Sequence, residues 1–150
     1  MRVVIQRVSS ASVSIDRKLK SSIKRGFLIL IAVEDVDIQD DIDFLVKKIS
    51  NLRIFNDERG IMNLSILDID GEILCISQFT LYASTKKGNR PSYIKAAKPE
   101  ISIPLYEKFC ADLTKALNKP VQTGEFGADM QVELINDGPV TIIIDSKTKE

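Results

Sequence analysis

Apolar and polar positions alternate with period two near both ends of the chain, and recur with a helical period in two stretches between. Residues 2–8 and 11–15 are rich in β-branched side chains with partial alternation, which predicts a strand bent or bulged near Ser9-Ser10. Residues 24–34 are apolar at consecutive positions in the middle, the pattern of a strand buried on both faces and central in a sheet. Asp37 is a candidate helix cap, with Asp40 three residues on and further acids in the first turn, where the helix dipole favours them. Ile42, Leu45, Val46, Ile49 and Leu52 then recur at helical spacing. Residues 56–60 form a turn, and residues 72–79 a third strand around Ile73-Leu74-Cys75-Ile76. A polar loop follows over 84–91, then one or two helical turns over 92–97. Residues 103–117 form the second long helix, with Pro104 in its first turn and Leu105, Phe109, Leu113, Ala116 and Leu117 on one face; Asn118 and Pro120 end it. Residues 121–123 are short and extended. Residues 128–134 alternate as a half-buried strand, and residues 140–145 form the last. The sum is an α+β protein, a single compact domain of six to eight strands in which two long helices cover one side of a curved, barrel-like β-sheet.

Composition narrows the chemistry. The 150 residues contain no histidine, which removes Ser-His-Asp and Cys-His nucleophile activation, imidazole zinc sites and the commonest proton shuttle near neutral pH. Cys75 and Cys110 both sit in apolar runs and read as buried small hydrophobes, with no Cys-x-x-Cys and no disulfide framework. No metal-ligand constellation stands out, and no cofactor is expected. The opening residues are too short and too alternating for a signal peptide, and the longest apolar stretch, residues 27–33, is far short of a bilayer span. The expectation is a cytoplasmic protein with no membrane partner.

The 21 basic and 21 acidic residues cancel, but not locally. Residues 1–33 hold seven bases and one acid, residues 34–44 hold six acids and no base, and residues 86–98 hold Lys86, Lys87, Arg90, Lys95 and Lys98 with no acid. A positive segment of this kind is either a solvated face or a phosphate-binding one, and a net charge of zero does not exclude the second.

Three segments could carry chemistry. Ser77-Gln78-Phe79-Thr80 lies where an apolar strand runs out into a loop, with hydroxyls, a carboxamide and backbone amides able to bind a carbonyl or an oxyanion. Neither hydroxyl has a histidine to activate it, and the spacing nominates no lysine. Asn136-Asp137-Gly138-Pro139 separates two strands and reads as a turn; Pro139 cannot donate to a ladder. Lys86-Lys87-Gly88-Asn89-Arg90, with Tyr93 nearby, could grip phosphates and stack on an unpaired base.

Together these segments resemble the D-aminoacyl-tRNA deacylase family. The resemblance covers essentially the whole chain: Met1-Arg-Val-Val-Ile-Gln-Arg-Val8, Arg53-Ile-Phe55, Met62-Asn-Leu64, Ser77-Gln-Phe-Thr-Leu81, Gly88-Asn-Arg-Pro-Ser92, Gln122-Thr-Gly124, Ala128-Asp-Met130 and Asn136-Asp-Gly-Pro-Val-Thr141. Tyr93 stands where many members have phenylalanine. The resemblance implies a β-rich homodimer that hydrolyses the ester linking a D-amino acid, or glycine, to the 3′-terminal adenosine of tRNA. It implies that Gly138-Pro139 is a cis motif reaching into the partner subunit's pocket, where its carbonyls wall off an L side chain, and that Arg7 braces it. It further implies that Ser77, Gln78, Phe79 and Thr80 form the catalytic wall and that Met130 lines the pocket. Lys86, Lys87 and Arg90 are the candidate contacts to tRNA phosphates. Three other readings remain at this point: an ester hydrolase with a covalent Thr80 or Ser77 nucleophile, a non-catalytic tRNA-binding module, and a structural dimer whose basic loops are incidental.

Overall fold

The computed structural model describes residues 1–149. Strand β1 (Arg2–Ile15) is continuous, but changes partners at its middle. Residues 2–8 pair antiparallel with β3 (Gly26–Ala32), and residues 11–15 pair antiparallel with β2 (Lys18–Ile23). Ser9-Ser10 is therefore the point of exchange. The β1–β2 turn is Asp16-Arg17, both at positive φ (50° and 63°), the twist a two-residue hairpin requires. Strand β2 is absent from the sequence expectation for a physical reason. Its KLKSSI sequence buries only Ile23, and Leu19 is exposed, so an outer strand protected by lysines leaves little apolar signal.

Strand β3 is buried along almost its whole length, as its consecutive apolar residues predict. On its other side it pairs in parallel with β6 (Glu72–Ser77). The approach is close: a Cβ on Gly26 would lie 1.8 Å from the Glu72 carbonyl oxygen, so only glycine fits. Strands β4 (Phe55–Asn56) and β5 (Met62–Leu64) form a separate small hairpin. The short β7 (Gln122–Thr123) extends the main sheet to the order β2-β1-β3-β6-β7. Its ends then meet, because the Ser21 hydroxyl on β2 donates to the Thr123 carbonyl on β7. The sheet is accordingly curved and nearly closed, as expected. Strand β8 (Gln131–Asp145) runs along β1 as one strand of 15 residues, where two strands and a turn were expected.

Helix α1 (Gln39–Asn51) and helix α2 (Pro99–Leu117) pack together on one face of the sheet. Ile42, Leu45 and Ile49 of α1 meet Phe109 and Leu113 of α2 over Val3, Ile5, Phe27 and Ile29. A second apolar cluster, including Val8, Val13, Leu28, Leu74 and Ile76, fills the inside of the curve. Two details differ from expectation. The cap residue of α1 is Ile38, whose N–H is accepted by the Asp41 carboxylate at 2.9 Å; the Asp37 carboxylate instead accepts the Glu34 N–H and pairs with the terminal ammonium. Helix α2 begins four residues before the expected start, with Pro99 in its first turn, which leaves Pro104 inside the helix. Cys75 is buried in the core and Cys110 half-buried against it. The Tyr106 hydroxyl donates to the Cys75 carbonyl at 2.9 Å and pins α2 to β6 just before that strand ends. No helix among the described residues is long and apolar enough to cross a membrane.

Candidate functional site

Beyond Ser77 the chain leaves the sheet in a single 3₁₀ turn, Phe79–Tyr82. The Gln78 N–H is held by the Ile31 carbonyl at 2.7 Å, which continues the β3–β6 ladder by one bond and fixes where the turn begins. Leu81 and Ala83 donate to the carbonyls of Gln78 and Thr80 at 3.1 and 2.9 Å. Among the described residues, the N–H groups of Phe79 and Thr80 have no acceptor, as the geometry of a first turn dictates. The Thr80 hydroxyl is not free in the same sense: the Gln78 side-chain amide donates to it at 2.5 Å. No titratable partner bonds either the Ser77 or the Thr80 hydroxyl among the described residues.

A cavity of about 250 Å³ opens beside this turn. Ser77, Gln78 and Phe79 form one wall, and Phe126, Met130 and Val132 the facing one. None of its lining side chains carries a charge. The structure thus brings three of the four strand-end residues together with Met130, and leaves Thr80 one position past the lining. Gly124 lies behind Met130, so close that a Cβ would fall 2.4 Å from the Met130 sulfur.

Gly138-Pro139 is elsewhere. Gln6 pairs with Thr141 and Val8 with Asn136, so residues 137–140 bulge from β8 opposite Arg7 alone. The Gly138-Pro139 bond is cis, Gly138 has φ +141°, and both residues are exposed. Arg7 is buried and fastens the bulge: its Nε donates to the Asp137 carbonyl at 2.8 Å. Its Nη1 donates to the Ile54 carbonyl at 2.6 Å and to Asn56 Oδ1 at 3.2 Å. The Asn136 side chain closes the loop from within, accepting the Val140 N–H at 2.8 Å and donating to the Thr141 hydroxyl at 2.9 Å. Neither Gly138 nor Arg7 lines the cavity of the same chain. Met130 and Gly138 are separated by roughly 25 Å of extended strand.

Lys86, Lys87 and Arg90 are all exposed, on a loop closed by paired backbone bonds between Ser84 and Ser92 at 2.8 and 2.9 Å. The loop is tied to the cavity mouth through Tyr93, whose ring meets the half-exposed Phe79 ring edge-on with centroids 5.1 Å apart. Phe126 is absent from the sequence expectation, and Asn136 is named there only as part of a turn. Phe126, set between Gly124 and Gly127, is a bulky side chain in a turn; Asn136, five residues before Thr141, serves as an internal clasp. Among the described residues, no three His, Cys, Asp or Glu side chains are placed to hold a metal ion.

The chain is similar to proteins already known. The sequence model of a family described as D-Tyr-tRNA(Tyr) deacylase matches residues 4–145. A protein of Bacteroides fragilis (strain YCH46), described as D-aminoacyl-tRNA deacylase, is 71% identical over 150 residues, covering all of both chains. A solved structure, that of a c-Myc DNA Unwinding Element Binding Protein, matches with a TM-score of 0.91 at 41% identity, covering 97% of this chain and 98% of that one. Another, that of a probable eukaryotic D-amino acid tRNA deacylase, matches with a TM-score of 0.81 at 20% identity over 95% and 97% of the two chains, and speaks for the fold alone.

Proposed function

Since the chain belongs to the D-Tyr-tRNA(Tyr) deacylase family, we propose that it hydrolyses the ester joining a D-amino acid to the 3′-terminal adenosine of tRNA, releasing free tRNA and the free D-amino acid. The observation that carries this reading is the extent of the match: residues 4–145 take in both the strand-end cavity and the Gly138-Pro139 bulge.

The uncharged cavity suits the chemistry. An aminoacyl ester beside a ribose 2′-OH is already reactive, so holding it, admitting water and stabilising the oxyanion supply most of what is needed. In this reading the unpaired N–H groups of Phe79 and Thr80 face the developing oxyanion, and Ser77, Gln78 and Met130 shape the wall around the ester. The substrate's own 2′-OH takes the place of a protein base, consistent with a chain that has no histidine.

Chirality is read by a wall. Gly138-Pro139 of one subunit enters the cavity of its partner in a homodimer, and its backbone meets any L side chain; a D side chain points away and glycine has none, so glycyl-tRNA is a second substrate. Three features support the cross-subunit arrangement: the motif is exposed, Arg7 locks its shape, and strand length keeps it from the cavity of its own chain. Lys86, Lys87 and Arg90 face the tRNA phosphates, and the cytoplasm, where tRNA is charged, is the site of action. The purified protein should release free D-tyrosine and intact tRNA from D-tyrosyl-tRNA over many turnovers. A single-turnover burst that leaves tyrosine covalently on Thr80 or Ser77, or binding with no release at all, would contradict this mechanism.

A further inference from the structure

A second cleft, of about 310 Å³, lies on the far side of the 3₁₀ turn, lined by Tyr82, Ala83 and Ser84 together with four cations and two carboxylates. The carboxylates are already engaged. Asp145 accepts from Arg2 Nε and Nη2 at 3.0 and 2.9 Å, and Glu34 accepts from the Tyr82 hydroxyl at 3.3 Å. Two of the cations are engaged as well: Arg2 by Asp145, and Lys147 by Asp41 at 2.7 Å. The other two, Lys86 and Lys95, are exposed and have no acidic partner among the described residues. They belong to the 86–98 segment, which has no acid of its own. The cleft therefore carries net positive charge, since Lys86 and Lys95 are both unpaired and Glu34, held among the described residues only by the neutral Tyr82 hydroxyl, offsets one of them; that surplus is the condition for binding a compact anion.

Its position gives the anion an identity. Phe79 lines the ester cavity and Ala83 lines this cleft. The 3₁₀ turn runs from Phe79 to Tyr82, which also lines the cleft, and at about 2 Å per residue it sets the two linings roughly 6 Å apart. That is the scale of one nucleotide step. Resting on the deacylase reading of the neighbouring cavity, we propose that Lys86 and Lys95 jointly hold a backbone phosphodiester of the tRNA acceptor strand, one to two nucleotides before the esterified adenosine. Lys95, from beyond the loop, is then the second jaw of a phosphate clamp, and Tyr82 with its Arg2 partner, 4.8 Å from the ring, is the rigid floor.

Binding of a fluorescein-labelled RNA minihelix ending in single-stranded ACCA, with no amino acid attached, tests the clamp without requiring catalysis. The variant Lys86→Glu/Lys95→Glu should weaken binding by about tenfold or more, and lower the slope of log Kd against log salt by ~1–2. The variant Lys18→Glu/Lys20→Glu carries the same charge change on β2, at the opposite end of β1, and should bind as the parent does. Equal affinity and equal salt slope in the Lys86/Lys95 variant, with its circular dichroism unchanged, would overturn the clamp; so would equal weakening in both variants. A parent protein that binds through these lysines yet releases no D-tyrosine from D-tyrosyl-tRNA would sink the deacylase reading and leave the clamp standing.

Discussion

Thr80 separates the two kinds of ester chemistry open to this cavity. Its hydroxyl accepts from an amide that cannot take a proton, and it lies past the lining, so the proposed mechanism uses only its backbone N–H. Thr80→Ala should keep activity within about tenfold of the parent in steady-state deacylation, whereas a loss of ~10⁴ with intact folding would mark a nucleophile. Gly138 makes the complementary case. Its φ of +141° disfavours any L side chain, and a Cβ would sit 2.8 Å from Val140 Cγ2 and 3.0 Å from Arg7 Nη2. Gly138→Val must therefore displace the bulge. We expect a lower kcat/KM on D-tyrosyl-tRNA together with weaker rejection of the L form. A variant that matches the parent on both substrates would remove the wall from the mechanism.

At the scale of elements, the start of α1 rests on a buried charge cluster. Burial raises the Asp41 carboxyl, but Lys147, the Ser146 hydroxyl and the Ile38 N–H outweigh it and hold the group down at about 2, below its ordinary 3.8. A depressed folded value contributes stability that is complete above the unfolded value and is lost as pH falls through the folded one. Asp41→Asn should therefore cost roughly 1–3 kcal/mol at pH 7, a shift of about 2–12 °C in thermal midpoint, and the gap should close between about pH 4 and pH 2. A gap independent of pH would place the loss elsewhere. Elements with a strong apolar period, β1, β3, β6 and both helices, were legible in the sequence. Strand β2 was not, because an outer strand buries little, and the single β8 was hidden because Gly-Pro reads as a turn when a neighbour's arginine cannot be seen. For the same reason the site was half legible. The strand-end residues and Met130 follow from motif likeness, whereas the clasp of Asn136 and the wall at Phe126 depend on contacts that only folding creates.

For the whole molecule, the zero net charge resolves into an acidic start of α1, where Asp37 and Asp41 are engaged in internal pairs, and cations of the 86–98 segment that have no acidic partner among the described residues. Strand β8 pairs only with β1 among the described residues, leaving the 15-residue strand with an open edge that displays Ile135 and Ile143, each 62% exposed. An open apolar edge beside the Gly138-Pro139 bulge is what a two-fold partner would cover. Sedimentation should give a particle of twice the 16.8 kDa chain mass, and a fully active monomer would contradict the shared-site arrangement. Chirality is the claim on which the account turns, and it is measured most directly by presenting matched D- and L-tyrosyl-tRNA at equal concentration to the purified protein. The proposed wall predicts a kcat/KM ratio favouring the D form by on the order of 10² or more, because an L side chain would strike it. Hydrolysis of both at the same rate would contradict it.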